Sequence, residues 1–262
     1  MTNKGVDISV VQGNVNFSAV KASGIDFVVL RCGVGNGGID IDYVKNVAAA
    51  TAAGLKVMAY HFLYPLPPMI VNGKDTQPLR DPIKQAQYHF NAVQGQMAAI
   101  DCEWPAPQDF GKWNCTPAQI NQWMIAYFTE YTRLDNGRKP FLYTYPYWAA
   151  AVKFDPFFAQ FPLWIASYQA TPSIPHPWTD WTMWQTTGGG GKLPNGAPVD
   201  TDVVKDLSIW NPPSVDAPPV VDVPVVVAPS PPAPVAPAPL PTDPLTSFFN
   251  TVKDAIGKLI KK

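Results

Sequence analysis

The chain has 262 residues, 47% of them hydrophobic, and a formal net charge of −1. That length and apolar content suit one large single-core domain of the α/β barrel kind. The near-neutral balance leaves no electrostatic footprint for a nucleic-acid partner. Cys32, Cys102 and Cys115 are an odd set with no close-spaced pair, which argues against a disulfide framework and a zinc site. Cys32 and Cys102 read as small buried hydrophobes. The start, Met1 to Asp7, has no apolar core or cleavage site of a secretory signal. The expectation is a product made in a host cytoplasm that reaches its target by another route. No apolar run reaches the roughly 18 residues of a spanning helix.

In chain order, Val6–Ser9 reads as a first short strand, and Asn16–Ala22 as a short helix stopped by Gly24. Phe27–Cys32 is a continuous apolar strand of the kind buried on both faces of a parallel sheet. Val44–Ala53 is Ala-rich and helical, closed by Gly54. Val57–Phe62 is a third strand, followed by a Pro-rich insertion from Pro65 to Gln77. Asp81-Pro82 is a cap-then-proline helix start, and that helix runs to Gly95. A fourth strand follows. Thr116-Pro117 opens a helix to Leu134, ending at Asn136-Gly137. Phe141–Tyr145, Leu163–Tyr168, Thr182–Gln185 and Pro198–Asp202 are strands five to eight. Thr187–Gly191 reads as a turn-rich loop between the last two. It has no following Lys-Ser/Thr and opens no helix, so it is not a phosphate loop. Strands alternate with helices early and then follow one another on short links. The pattern predicts an eight-stranded barrel with an incomplete helical coat, its site at the C-terminal strand ends.

The fourth strand carries the densest chemistry. Met97–Ile100 is apolar, and Asp101-Cys102-Glu103-Trp104 follows. In a strand, residues i and i+2 share a face, so both acids would leave the strand end together. Two carboxyls held close repel as anions, and one keeps its proton. A protonated and an ionised carboxyl side by side is what acid/base cleavage of a glycosidic bond requires. Spacing alone equally fits acids that cap a helix or pair with a surface lysine. Asp7, Tyr60, Tyr143, Trp164, Gln185 and Asp200 also fall in or near strand ends.

Residues 211–242 are of another material, with proline interleaved among valine and alanine. Proline removes donors and holds the chain extended, so this reads as a semi-rigid linker. Residues 243–262 place Leu245, Phe248, Phe249, Val252, Ile256, Leu259 and Ile260 on one helical stripe. Lys253, Lys258, Lys261 and Lys262 outweigh Asp243 and Asp254. A basic amphipathic helix on a tether reads as contact with an anionic membrane or outer-membrane surface. Folding back on the barrel and pairing with another copy are the competing readings.

Five segments together resemble glycoside hydrolase family 25, the Chalaropsis-type muramidases. Asp7-Ile8-Ser9-Val10-Val11-Gln12-Gly13 resembles its opening Asp-x-Ser-x-x-Gln-Gly. Tyr60-His61-Phe62 resembles its third-strand motif, Asp101-Cys102-Glu103 its Asp-x-Glu, Trp184-Gln185 its Trp-Gln, and Val199-Asp200 its last-strand Val-Asp. The order holds over roughly residues 5 to 210. Barrel chitinases share Asp-x-Glu but carry further acids just upstream, and Gln94–Ile100 has none.

The resemblance implies an irregular TIM-like (β/α)5(β)3 barrel over 1–210, without metal or cofactor. It implies cleavage of the β-1,4 bond between N-acetylmuramic acid and N-acetylglucosamine in peptidoglycan glycan strands. Glu103 is then the proton donor. Asp101 orients the substrate's N-acetyl group as nucleophile, or an Asp attacks directly. Asp7 and Asp200 complete an acidic cup. Tyr60, Trp104, Tyr143, Trp164 and Gln185 line the groove. Asp202 stands where the family more often has Asn, so Asp200 and Asp202 both remain candidates for the last-strand acid. The whole reads as a monomeric phage-type endolysin released through a holin pore or by lysis. The alternatives are a secreted antibacterial effector and a catalytically silent wall- or membrane-binding protein.

Overall fold

The computed structural model describes residues 2–35, 37–67, 80–93 and 95–210, with the backbone of the short pairs 70–71 and 74–75. The linker over 211–242 and the amphipathic helix over 243–262 lie outside the described residues. Part of the Pro65–Gln77 insertion does too; within it, Ile70–Val71 pairs antiparallel with Lys74–Asp75.

Eight strands close a barrel: β1 (Asn3–Ile8), β2 (Phe27–Val34), β3 (Lys56–Phe62), β4 (Met97–Asp101), β5 (Phe141–Thr144), β6 (Leu163–Ala166), β7 (Met183–Lys192) and β8 (Pro198–Val204). Neighbours from β1 through β7 are parallel. β8 runs the other way and pairs antiparallel with both β7 and β1, which closes the ring. Its first residues therefore lie at the end where the other seven strands finish. A two-residue strand, Gly38–Ile39, folds back on β2.

Five helices follow the first five strands: α1 (Phe17–Ala22), α2 (Tyr43–Ala52), α3 (Pro82–Val93), α4 (Pro117–Leu134) and α5 (Pro146–Val152). Their starts are local chemistry. Asn16 Oδ1 accepts the Ala19 N–H at 3.0 Å. Asp81 Oδ1 accepts those of Ile83 and Lys84 at 2.9 and 3.1 Å. Thr116 and Gln119 form a reciprocal capping box, with Pro117 at the first helical position. α5 is absent from the sequence reading. It is about two turns long, opens on Pro146, and buries only Trp148, Ala149 and Val152, too short a stretch for periodicity to declare. The glycine loop after Gln185 is also corrected. Residues 183–192 form one strand that pairs with β8 through two register shifts. Glycines serve there because neighbours crowd in: a Cβ on Gly191 would meet Thr201 Cγ2 at 2.5 Å.

Strand alternation sorts the core into two. Phe27, Val29, Met58, Ala99, Tyr143, Trp164, Met183 and Val204 fill the barrel. Ile8, Val28, Leu30, Ala59, Ile100, Leu142 and Ile165 face the helices, and Cys32 and Cys102 lie among them. The lower end is closed by the turn Leu207–Trp210. There Trp210 packs on Phe27 with centroids 5.1 Å apart and donates to Val57 O at 2.9 Å.

His61 and His89 stack at 4.6 Å between barrel and helices, both fully buried. His89 Nδ1 lies 2.7 Å from the Tyr127 hydroxyl. Desolvation pushes His61 down to about 3 and His89 well below its usual range. Both are neutral in the fold and would charge when unfolded, near pH 6.5. Their stabilising effect is thus full above pH 6.5 and is lost as pH falls below it. Thermal unfolding should show His61→Phe losing about 1–3 kcal/mol less than wild type between pH 7 and 4.5.

Candidate active site

The upper end of the barrel collects the acids. Asp7 ends β1, and the signature that follows it is a turn. Ser9 and Gln12 form a capping box over a single 3-10 turn, and Gly13 closes it at φ 66. Gln12 Nε2 also reaches Pro198 O at 3.4 Å, beside the start of β8. The motif's Ser, Gln and Gly therefore build the bend that ends β1 at Asp7. Asp200 is the direct cross-strand partner of Asp7. It is half-buried and accepts the Gly189 N–H.

Asp202 sits one inward-facing position deeper, 1% exposed, accepting Trp164 Nε1–H at 2.9 Å. The two candidates for the last-strand acid thus occupy different levels: Asp200 at the mouth, Asp202 sealed beneath it. Burial pushes Asp202 up to about 8, with the charge of Asp200 adding to the effect and the Trp164 bond opposing it. Asp7 is pushed well above the carboxylate range by burial and by the charges of Asp200 and Asp202.

Gln185 is the hub of this layer. Its Nε2 donates to Asp7 Oδ2 at 2.7 Å, and its Oε1 accepts Tyr143 and Tyr168 hydroxyls at 3.1 and 2.8 Å. With both ends of the amide committed, its orientation is fixed. Tyr143, Trp164 and Gln185, all under a tenth exposed, lie under the acids as their support. Tyr60 is half-buried, edge-on to Trp164 at 6.3 Å.

Asp101 is the last residue of β4, 6% exposed, and its Oδ1 has no hydrogen-bond partner among the described residues. The ladder ends there, so Glu103 leaves from the loop beyond rather than from the strand. Glu103 is half-buried. Its loop is pinned by Trp148 of α5, whose Nε1 donates to Pro105 O at 2.9 Å. Desolvation, and then the charge of Asp200, push Glu103 up to about 7. Asp101 is raised well above its usual range by burial and by Glu103, while Arg31 pulls it back. The pair retains at least one proton near neutrality. Trp104 stands at the rim, edge-on to Tyr64 at 4.7 Å and to Trp113 at 5.0 Å.

Two residues of the site were not found by motif reading. Tyr168 is 45% exposed and rests against Gly188, where a Cβ would meet its hydroxyl at 2.9 Å. Arg31 is buried in the otherwise apolar β2, and a single cation in such a run was the available signal. Gly188→Ala should displace Tyr168 and loosen Gln185. We expect kcat/KM to fall about 3–10-fold with stability changed by no more than about 1–2 kcal/mol, read by activity assay and thermal melting together.

A half-buried carboxyl that titrates near 7, an adjoining buried carboxyl with an unpaired oxygen, and two further acids in one cup make a site for acid/base hydrolysis. Comparison with known proteins agrees. The model of glycosyl hydrolases family 25 matches residues 6–192, and the chain belongs to that family. It is similar to the autolytic lysozyme of Clostridium acetobutylicum, 33% identical over 100 residues, covering 38% of this chain and 26% of that one. It is also similar to lysozyme M1 of Streptomyces globisporus, 24% identical over 197 residues, 71% of this chain and 62% of the relative. The chain thus spans less than two thirds of either relative. The fold superimposes on a bacterial lysozyme from Streptomyces coelicolor with a TM-score of 0.67, at 22% identity, covering 80% of this chain and 98% of that one. Among the described residues no cluster suits a metal ion, and no helix is long and apolar enough to cross a membrane.

Proposed function

We propose that the protein is a muramidase that cleaves the β-1,4 bond between N-acetylmuramic acid and N-acetylglucosamine in peptidoglycan. The observation that carries this is the asymmetric pair: Glu103 half-open and protonated up to about pH 7, beside Asp101, buried with a free acceptor. Family membership and relatives called lysozymes support the substrate class.

Glu103 gives its proton to the glycosidic oxygen as the C1–O bond breaks. The substrate's N-acetyl carbonyl oxygen closes on C1, and Asp101 Oδ1 takes the hydrogen bond of the acetamido N–H. The depth of Asp101 and its unpaired oxygen favour this role over direct attack. Glu103, now a carboxylate, draws a proton from the water that reopens the ring. Asp7 and Asp200 stabilise the positive charge at the sugar, with Asp200 the last-strand acid that meets it. The lytic role and envelope contact through residues 243–262 belong to the same proposal. The sequence of the tail supports the envelope contact.

Activity should fall as pH rises through about 7, where Glu103 gives up its proton. The direct test is digestion of purified peptidoglycan, borohydride reduction and mass spectrometry. New reduced N-acetylmuramic acid ends are expected. Reduced N-acetylglucosamine ends would make it a glucosaminidase, and no new ends from folded protein would remove the enzyme reading.

A further inference from the structure

The helix that holds the Glu103 loop has a second face. On α5, Trp148 and Val152 are buried, and Trp148 fixes Pro105 O. Pro146, Ala149, Ala150 and Lys153 recur at the three-four spacing of one helical stripe, which the helical period sets on the other side of α5 from Trp148. That stripe lines a cavity of about 580 Å³, within the range of roughly 300–1,000 Å³ that small-ligand sites occupy. The facing wall is the segment after β6, with Ser173, Pro175 and His176. Both walls start at the active site. Pro146 opens α5 two residues after β5 ends, at the barrel end that carries the acids. Ser173 N–H donates to Ser167 Oγ at 3.3 Å, and Ser167 N–H to Gln185 O at 3.1 Å. The cavity thus begins at the catalytic end and follows α5 for about 10 Å.

Its ionisable groups are basic. Lys153 and His176 are exposed, and among the described residues no hydrogen bond or ion pair engages either side chain. No acid among the described residues lines the cavity. Asp155, close by in sequence, instead accepts the Phe157 N–H at 2.8 Å. The apolar wall is rigid: Phe154 is buried, with Trp148 and Trp178 at 5.7 and 5.1 Å. Lys153 is also held at a backbone cost. It is left-handed, at φ 55, in a place that helices commonly give to glycine. Gly24, Gly54, Gly95 and Gly137, just beyond α1 to α4, all have positive φ. α5 alone ends without one.

We propose that this cavity binds an acidic peptide, the stem carried by the muramic acid residue, while the glycan is cut. This rests on the reading of peptidoglycan as the substrate. The carboxylates of the stem meet Lys153 and His176, and its alanine methyls pack against Ala150, Phe154 and Pro175. Four extended residues span about 13–14 Å, enough to follow α5 from Pro146 to Lys153. Two basic groups between apolar walls suit one or two carboxylates on a largely aliphatic chain. A polymer with a charge at every repeat would need a longer basic track.

The test uses the full chain as wild type, Lys153→Gly and Ala150→Glu. Each is assayed on intact peptidoglycan and on glycan strands stripped of their stems by an amidase. Wild type should have the higher kcat/KM on the stem-bearing strands. Lys153→Gly removes the ammonium and the left-handed cost together, so it should fold at least as well. It should still lower the ratio of the two kcat/KM values by about 3–10-fold, through KM. Ala150→Glu sets an acid in the cavity and should lower the ratio too. In parallel, free stem tetrapeptide is titrated into nitrogen-15-labelled wild type, with shifts expected at Lys153, Ser173 and His176. A ratio that neither variant moves would overturn the proposal and leave the muramidase reading intact. So would a glycerol phosphate polymer that shifts these residues where the peptide does not, since the cavity would then serve a polyanion. Peptide shifts at these residues in a protein that cleaves neither substrate would keep the peptide site and remove the reaction reading.

Discussion

Glu103→Gln should abolish glycan cleavage while making the protein more stable. The amide keeps the shape of the side chain and cannot give up a proton, so kcat should fall by about 10³-fold or more, with KM little changed. Stability moves the other way for a reason found in the same pKa. Burial pushes Glu103 up to about 7 in the fold, against about 4.5 for an ordinary glutamate. A carboxyl raised on folding binds its proton more tightly in the native state, so its effect on stability worsens as pH rises between those two values. The variant escapes that cost. It should gain about 1–3 kcal/mol at pH 8 and little at pH 5, discounted for the partial exposure of the group. A variant that is inactive because it is misfolded would lose stability instead, so melting at the two pH values separates chemistry from damage.

The second large effect is expected at Trp148, outside the barrel. It is fully buried, packs at a tilt against Phe154 with centroids 5.7 Å apart, and holds Pro105 O two residues after Glu103. Trp148→Ala removes the ring and leaves a cavity, a change that costs about 3–5 kcal/mol. For a domain of this size that is roughly a 10–15 °C fall in Tm. Trp148→Phe fills most of the space and strands only the carbonyl, costing about 1–3 kcal/mol. If the tether positions Glu103, the phenylalanine variant should lose activity beyond its loss of stability, with the alkaline limb of its pH profile displaced. Equal kcat in a merely less stable Trp148→Phe would show that the tether is packing alone.

Much of the architecture was legible because it is written in local chemistry. Thr116-Pro117 and Asp81-Pro82 marked helix starts to the residue. The apolar run of β2 and the period-two acids after β4 marked what the barrel buries and what it presents. The missed parts depend on three-dimensional neighbours. Gly188 to Gly191 reads as a turn in one dimension and is a strand because Tyr168 and Thr201 press on it. α5 is held by burying Trp148 rather than by its own propensity. Asp200 and Asp202 are alike in sequence, and only the antiparallel run of β8 puts one at the mouth and the other under it. Arg31 acquires meaning only when the barrel closes around it.

The most direct measurement is the titration of the Glu103 carboxyl in the folded wild type, followed by carbon-13 NMR with Glu103→Gln to assign the resonance. The account predicts a midpoint near 7. A midpoint in the ordinary glutamate range, about 4–4.5, would mean that Glu103 holds no proton at neutral pH and would contradict its role as the acid.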